Sequence, residues 1–172
     1  MMRVLATSSR SEADASSAGW ITMCDALAHA TTAAAAFEAV DAARRQVVGE
    51  GLLTINRFDA KRSRLTRVWS SNVQAYPVGG SKDKADTPWT RQLLQRGELF
   101  IGEGSAALAD VFDDHAKILS LGLRSVINVP LLSKGRCIGT FNVLGRTAYW
   151  LPSQVVNVRL LALAALPAVL TS

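Results

Sequence analysis

Cysteine is scarce in this chain, which has only Cys24 and Cys137. The two lie far apart and show no metal-ligand spacing. Neither a disulfide framework nor a zinc site is expected, and each thiol reads as a small buried apolar residue. Long runs of one charge are also missing. The densest basic cluster, AKRSRLTR at 60–67, lacks the interleaved aromatics that stack bases, so nucleic acid is not an expected partner. The N-terminal MMRVLATSSRSEADASSAGW has no continuous apolar segment of the signal-peptide kind. The C-terminal LLALAALPAVL is short and interrupted by proline, which argues against a membrane span. A cytoplasmic protein with no membrane partner is the expectation.

What is present is apolar bulk. Hydrophobic residues make up 49% of 172 positions, enough for one domain with a sizeable core, and the net charge of +5 is moderate. Residues 1–18 are rich in Ser and Ala and read as a loose segment ahead of a single domain at 19–172.

From Trp20 to Val48, Met23, Leu27, Ala30, Ala34 and Phe37 recur at helical spacing, and Gly49 and Gly51 stop the pattern. LLTINRF (52–58) and RLTRVWSS (64–71) read as strands joined by a polar turn. A loop at 72–87 follows, too polar and glycine-rich to pack. Thr87-Pro88 opens a short helix through Arg96, with Thr as N-cap and Pro at the first helical position. ELFIGEG (98–104) predicts a short strand and DVFDDHAKILSLG (110–122) a helix closed by glycine. A hairpin and a long final helix from Leu151 complete the chain. With hairpin links dominating, this order predicts an α+β fold built on a largely antiparallel sheet. The terminal helices should cover one sheet face, and the middle loops and short helices the other.

The hairpin, RSVINVPLLSKGRCIGTFNV at 124–143, is the most informative stretch. A two-residue turn at Lys134-Gly135 would put a lysine at positive φ, so a three-residue loop ending in Gly135 is predicted. That register pairs Asn128 with Thr140 and Val126 with Asn142. One face then carries Ile127, Val129, Leu131, Cys137, Phe141 and Val143, a core surface on which Gly139 allows close packing. The other carries Val126, Asn128, Thr140, Asn142 and Leu144. Asparagine is a poor strand residue, and a solvated face would more usually carry Lys, Glu or Thr. The mixture of apolar walls and amides suits a small-molecule cavity.

These residues carry a resemblance. SVINVPLLSKGRCIGTFNV resembles the closing hairpin of GAF domains, where S-x-x-x-V-P-L, a glycine turn, x-x-G and an apolar strand follow one another. TPWTRQLLQRGELFIGEG is similar to that family's middle segment. The likeness runs over about residues 20–170. It implies a GAF-like (PAS/profilin-like) fold and a sensory or regulatory module that binds a small molecule between sheet and loops. It also implies dimerisation through the terminal helices. The pocket positions it implies are Thr54, Asn56, Val126, Asn128, Thr140 and Asn142, joined by Leu144, and the hairpin members match the face chosen by periodicity.

Other chemistry is weighed against this reading. Reduction of methionine sulfoxide on GAF-like proteins uses gathered cysteines, and Cys137 is expected to face the helices. DDHAKI offers no thiol for covalent bilin attachment, and the NKFDE pattern of cyclic-nucleotide-binding members is not evident. Asp113, Asp114 and His115 are sequence neighbours that point in different directions on a helix, a poor ligand set. Helix-dipole interaction explains the acids, while His115 is a candidate that titrates near neutrality. Trp89 is a candidate lid, Phe112 a further aromatic near the pocket, and Arg124 a candidate carboxylate clamp.

The expected function is non-covalent binding of a small polar organic ligand at Thr54, Asn56, Trp89, Phe112, Asp113, His115, Val126, Asn128, Thr140 and Asn142. No catalytic residue, cofactor or metal is assigned. A metal-free enzyme on the same fold and a ligand-free dimerisation module are the alternatives. No kinase, cyclase or helix-turn-helix pattern is visible, so any signal passes through the ligand, a homodimer interface or a separate output protein. Apart from Arg159, QVVNVRLLALAALPAVL (154–170) is uncharged and apolar nearly all round. That excess predicts a homodimer through the first and last helices, aided by close approach at Ala33–Ala36.

Overall fold

The structure, a computed structural model, describes residues 4–172, with side chains from Ser16 onward. It opens with α1 (Val4–His29) and α2 (Ala33–Val47). The segment expected to be loose is therefore helical from Val4 to Ala18, while the expectation for residues 1–3 falls outside the described residues. Its Ala, Leu, Arg and Glu residues are good helix formers that outweigh the serines. The single helix expected from Trp20 to Val48 is broken at residues 30–32. Thr32 is extended there, and its hydroxyl accepts from Ala35 N at 3.2 Å to cap α2.

The strands are β1 (Gly51–Asp59), β2 (Arg64–Ser70), β3 (Ser81–Asp83), β4 (Phe100–Glu103), β5 (Ser125–Ser133) and β6 (Arg136–Gly145). They form one antiparallel sheet in the order β3-β2-β1-β6-β5-β4. β3 lies in the stretch predicted as loop. It is three exposed residues paired to β2, so its burial pattern carried no strand signal. Three short helices follow the sheet edges. α3 (Pro88–Thr90) runs into a π-helical turn at Arg91–Gln95; α4 (Gly104–Val111) and α5 (His115–Ser120) divide the region predicted as one helix. The predicted cap at Thr87 is present and reciprocal with Thr90. The last helix is α6 (Pro152–Thr171).

The hairpin turn differs from the prediction. Lys134 does take positive φ, +51°, beside Gly135 at +74°, so the loop has two residues. A bulge at Leu131/Leu132 adds a second one-residue slip. Asn128 therefore pairs with Asn142, and Val126 with Leu144. Two one-residue slips restore the parity, so the face assignment survives the wrong register. Cys137 lies beyond the bulge and is the exception. It packs with Leu65, Leu93 and Leu94 on the face away from the terminal helices.

Ile127, Val129, Phe141 and Val143 meet Leu53, Ile55, Phe37, Val40, Val158 and Leu161 in the main core between sheet and terminal helices. Trp69 packs here against Phe37. Within this layer Arg44 (1% exposed) bridges Asp41 (2%) at 2.7 Å and donates to Gly49 O at 2.6 Å. α6 inserts Val158, Leu161, Ala165 and Val169. It matches the long helix expected from Leu151, and at 20 residues it could by length and composition cross a membrane, contrary to the expectation from the shorter run LLALAALPAVL. One face is nevertheless committed to the protein core.

Candidate functional site

The face of the sheet opposite the terminal helices carries the polar row. Trp89 Nε1 donates to Asn128 Oδ1 at 3.0 Å, and Asn128 Nδ2 donates to Asn142 Oδ1 at 2.8 Å. Asn142 Nδ2 in turn faces Thr140 Oγ1 at 3.0 Å, Thr54 O at 3.2 Å and Thr54 Oγ1 at 3.3 Å. Asn56 Nδ2 donates to Thr140 Oγ1 at 3.0 Å. The asparagines thus tie three strands and the α3 segment together through side chains. Buried amides must find partners, and a ladder of this kind satisfies them without open water.

Above the row lies a cavity of about 380 Å³, within the range of ligand pockets. Thr54, Asn56, Trp89, Phe112, Val126, Asn128, Asn142 and Leu144 all line it. Trp89 and Phe112 meet edge to face at 6.2 Å between ring centres, so both candidate aromatics wall the same side.

Four candidates fall elsewhere. Thr140 is fully buried beneath Asn56 and Asn142 and serves them as acceptor rather than facing the cavity. Asp113 is 92% exposed and pairs outward with Lys82 at 3.2 Å. His115 starts α5, its Nδ1 within 3.0 Å of Phe112 O, off the cavity lining. The break between α4 and α5 turns Asp114, not its neighbours, inward. Arg124 is exposed and bonds Leu119 O and Leu123 O at 2.9 Å each, so it clamps nothing in the cavity.

Sequence reasoning missed the charged wall. Arg67, Lys82, Lys84, Asp114 and Lys117 line the cavity together with Tyr76. Tyr76 donates to Asp114 Oδ2 at 3.0 Å. Burial, then the Asp114 charge, pushes its phenol well above the usual tyrosine range. Arg67 and Lys117 sit over the Tyr76 ring at 5.0 and 4.7 Å. Lys84 lies 4.8 Å from the Trp89 ring centre, and burial, reinforced by Lys82, lowers its ammonium. Burial also pushes the Cys137 thiol up, which disfavours the reactive thiolate. Among the described residues, no group of three or more His, Cys, Asp or Glu is placed to hold a metal ion.

No family model and no curated protein matches the sequence. Solved structures do. The GAF domain of a phosphoenolpyruvate-protein phosphotransferase from Coxiella burnetii superposes with a TM-score of 0.72 at 10% identity, over 92% of this chain and 95% of that one. Residues 122 to 287 of a methyl-accepting chemotaxis protein give 0.67 at 16% identity, over 89% and 96%. The chromophore-binding domain of a bacteriophytochrome from R. palustris gives 0.65 at 12% identity over 89% of this chain, which spans 60% of that longer one. A six-stranded antiparallel sheet, terminal helices on one face and a roofed cavity on the other give this chain the GAF-domain fold.

Proposed function

We propose that this chain is a sensory GAF module of the cytoplasm that holds a small polar organic ligand non-covalently in the cavity above the asparagine row. The cavity itself carries the reading: it combines apolar walls with a few converging polar groups, the composition of a small-molecule site. Chemotaxis and phytochrome proteins among its structural neighbours support a role in signalling. The test is native mass spectrometry of freshly purified protein beside the Asn56→Leu variant. A co-purifying small molecule is expected on the parent and lost, or bound at least tenfold more weakly, in the variant. Parent protein that stays bare, also after incubation with a cell metabolite extract, would overturn the reading.

The signal would leave through a homodimer, with a separate output protein as the next step. Val156, Leu160, Leu163, Pro167 and Leu170 are all exposed on α6 and recur at alternating spacings of four and three, the seam of a coiled coil. A charge-free seam of this kind suits a second copy of itself across a two-fold axis, burying roughly 1,000 Å² or more in total. Of Ala33–Ala36, expected at that interface, Ala36 is buried within the chain and Ala34 is exposed, so that stretch can still flank the α6 contact. Sedimentation should show a dimer at micromolar concentration, and a monomer for Leu160→Glu/Leu163→Glu. A monomeric parent, or one that sediments only with lipid vesicles, would defeat this part of the proposal.

A further inference from the structure

The charged wall of the cavity is unbalanced. Four cations line it, Arg67, Lys82, Lys84 and Lys117, against one carboxylate, Asp114. Asp114 is already engaged: Oδ2 accepts from Tyr76 at 3.0 Å and Oδ1 lies 4.0 Å from Lys82 Nζ. Lys82 also has Asp113 at 3.2 Å. Arg67, Lys84 and Lys117 have no carboxylate within 4.0 Å among the described residues.

Each of the three is held by something weaker than a counter-charge. Arg67 Nη1 donates to Pro77 O at 3.0 Å, while its Nε is buried without a hydrogen-bond partner. Lys117 donates to Ala75 O beside the Tyr76 ring. Lys84 rests on Trp89, largely removed from water. Arg67 and Lys84 are partly buried, and partly desolvated cations without counter-ions cost free energy that an incoming anion relieves, while Lys117 stands exposed at the cavity's rim. Arg67 lines the cavity, and a guanidinium is the group whose planar fork grips a carboxylate or phosphate. Beyond these cations the wall becomes apolar and aromatic through Leu52, Val126 and Leu144 with Phe112 and Trp89.

Resting on the pocket reading above, we infer that the ligand is a small organic anion, a carboxylate or phosphate on an apolar or aromatic body. Its charged group meets Arg67, Lys84 and Lys117 at the β2–β3 side, and its body lies toward Trp89 and the asparagine row.

Four probes of one shape separate charge from fit: benzoate, phenyl phosphate, benzamide and benzylamine, each titrated into the full chain by calorimetry and thermal shift. Benzoate or phenyl phosphate should bind and raise the melting temperature, with affinity falling as salt rises. Whichever binds more tightly decides between the carboxylate and the phosphate. Benzamide and benzylamine should bind at least tenfold more weakly. Arg67→Gln should weaken the anion at least tenfold, and Lys84→Met provides the second test should the first variant fold poorly. Lys61→Gln, on an exposed turn, should change nothing. Equal or tighter binding of the neutral or cationic probe would overturn the inference and leave the pocket reading standing. So would an uncharged or cationic co-purifying ligand. A protein that binds none of the four and carries nothing by native mass spectrometry would remove both.

Discussion

Arg44→Met is expected to cost about 3–5 kcal/mol of folding stability, the range for breaking a buried ion pair from one side. Arg44 and Asp41 are 1% and 2% exposed, and the Nε–Oδ1 contact is 2.7 Å. Removing the guanidinium leaves a desolvated carboxylate with a single partner, Arg45, whose side chain is 54% exposed. A second loss follows at the end of α2. Arg44 Nη1 donates to Gly49 O, and Gly49 adopts φ +109° as the chain turns toward β1. Freeing that carbonyl loosens the entry of the strand that carries Thr54 and Asn56 into the cavity. Urea unfolding gives the measurement. The double variant Asp41→Leu/Arg44→Met should recover much of the loss, because two well-packed apolar groups need no partner. A single-variant cost below about 1 kcal/mol, the level of an exposed pair, would contradict this account.

The sequence and the structure agree most where periodicity governs. The hairpin faces followed from parity, and parity survived two compensating errors: Lys134 accepts positive φ, and a bulge at Leu131/Leu132 takes up the remaining residue. Cys137 was misplaced for the same reason, since a bulge reverses the local alternation without any mark in the sequence. The Thr87-Pro88 start was legible because capping is local chemistry. The break at residues 30–32 was not, because Met23, Leu27 and Phe37 sit on a common periodicity that spans it. The polar row was legible as a face, but its hydrogen bonds were not. Trp89 reaches Asn128 from 39 residues away, and only the fold brings them together. The cations were the hardest to see. Lys82, Lys84 and Arg67 looked like ordinary solvated charges in polar stretches, and the pairing of the short β3 with β2 is what turns them over the cavity.

Gly139→Ala should destabilise the fold by roughly 3 kcal/mol or more, at or beyond the upper end for overpacking. A Cβ at Gly139 would lie 2.3 Å from Asn56 O, 3.3 Å from Asn56 C and 3.5 Å from Arg57 Cα. These are main-chain atoms of the neighbouring strand, so no rotamer change relieves the overlap. The only relief is to part β1 from β6 where Arg57 faces Gly139, in the middle of the six-stranded sheet. Thr140 is the next residue, and the Asn56 Nδ2–Thr140 Oγ1 bond of 3.0 Å would stretch with the strands. The effect should therefore reach the floor of the cavity as well as global stability. Gly135→Ala separates this from an ordinary glycine effect. Gly135 has φ +74°, and a Cβ there would meet nothing within 4 Å, so alanine incurs only the left-handed backbone cost of about 1–2 kcal/mol. Chemical denaturation of the two variants side by side should show the larger loss at Gly139. In Gly139→Ala, amide hydrogen exchange should also accelerate along β1 and β6 more than along β4 and β5. Equal losses at the two positions, with exchange unchanged along β1, would mean that the strands can separate at Gly139 without cost.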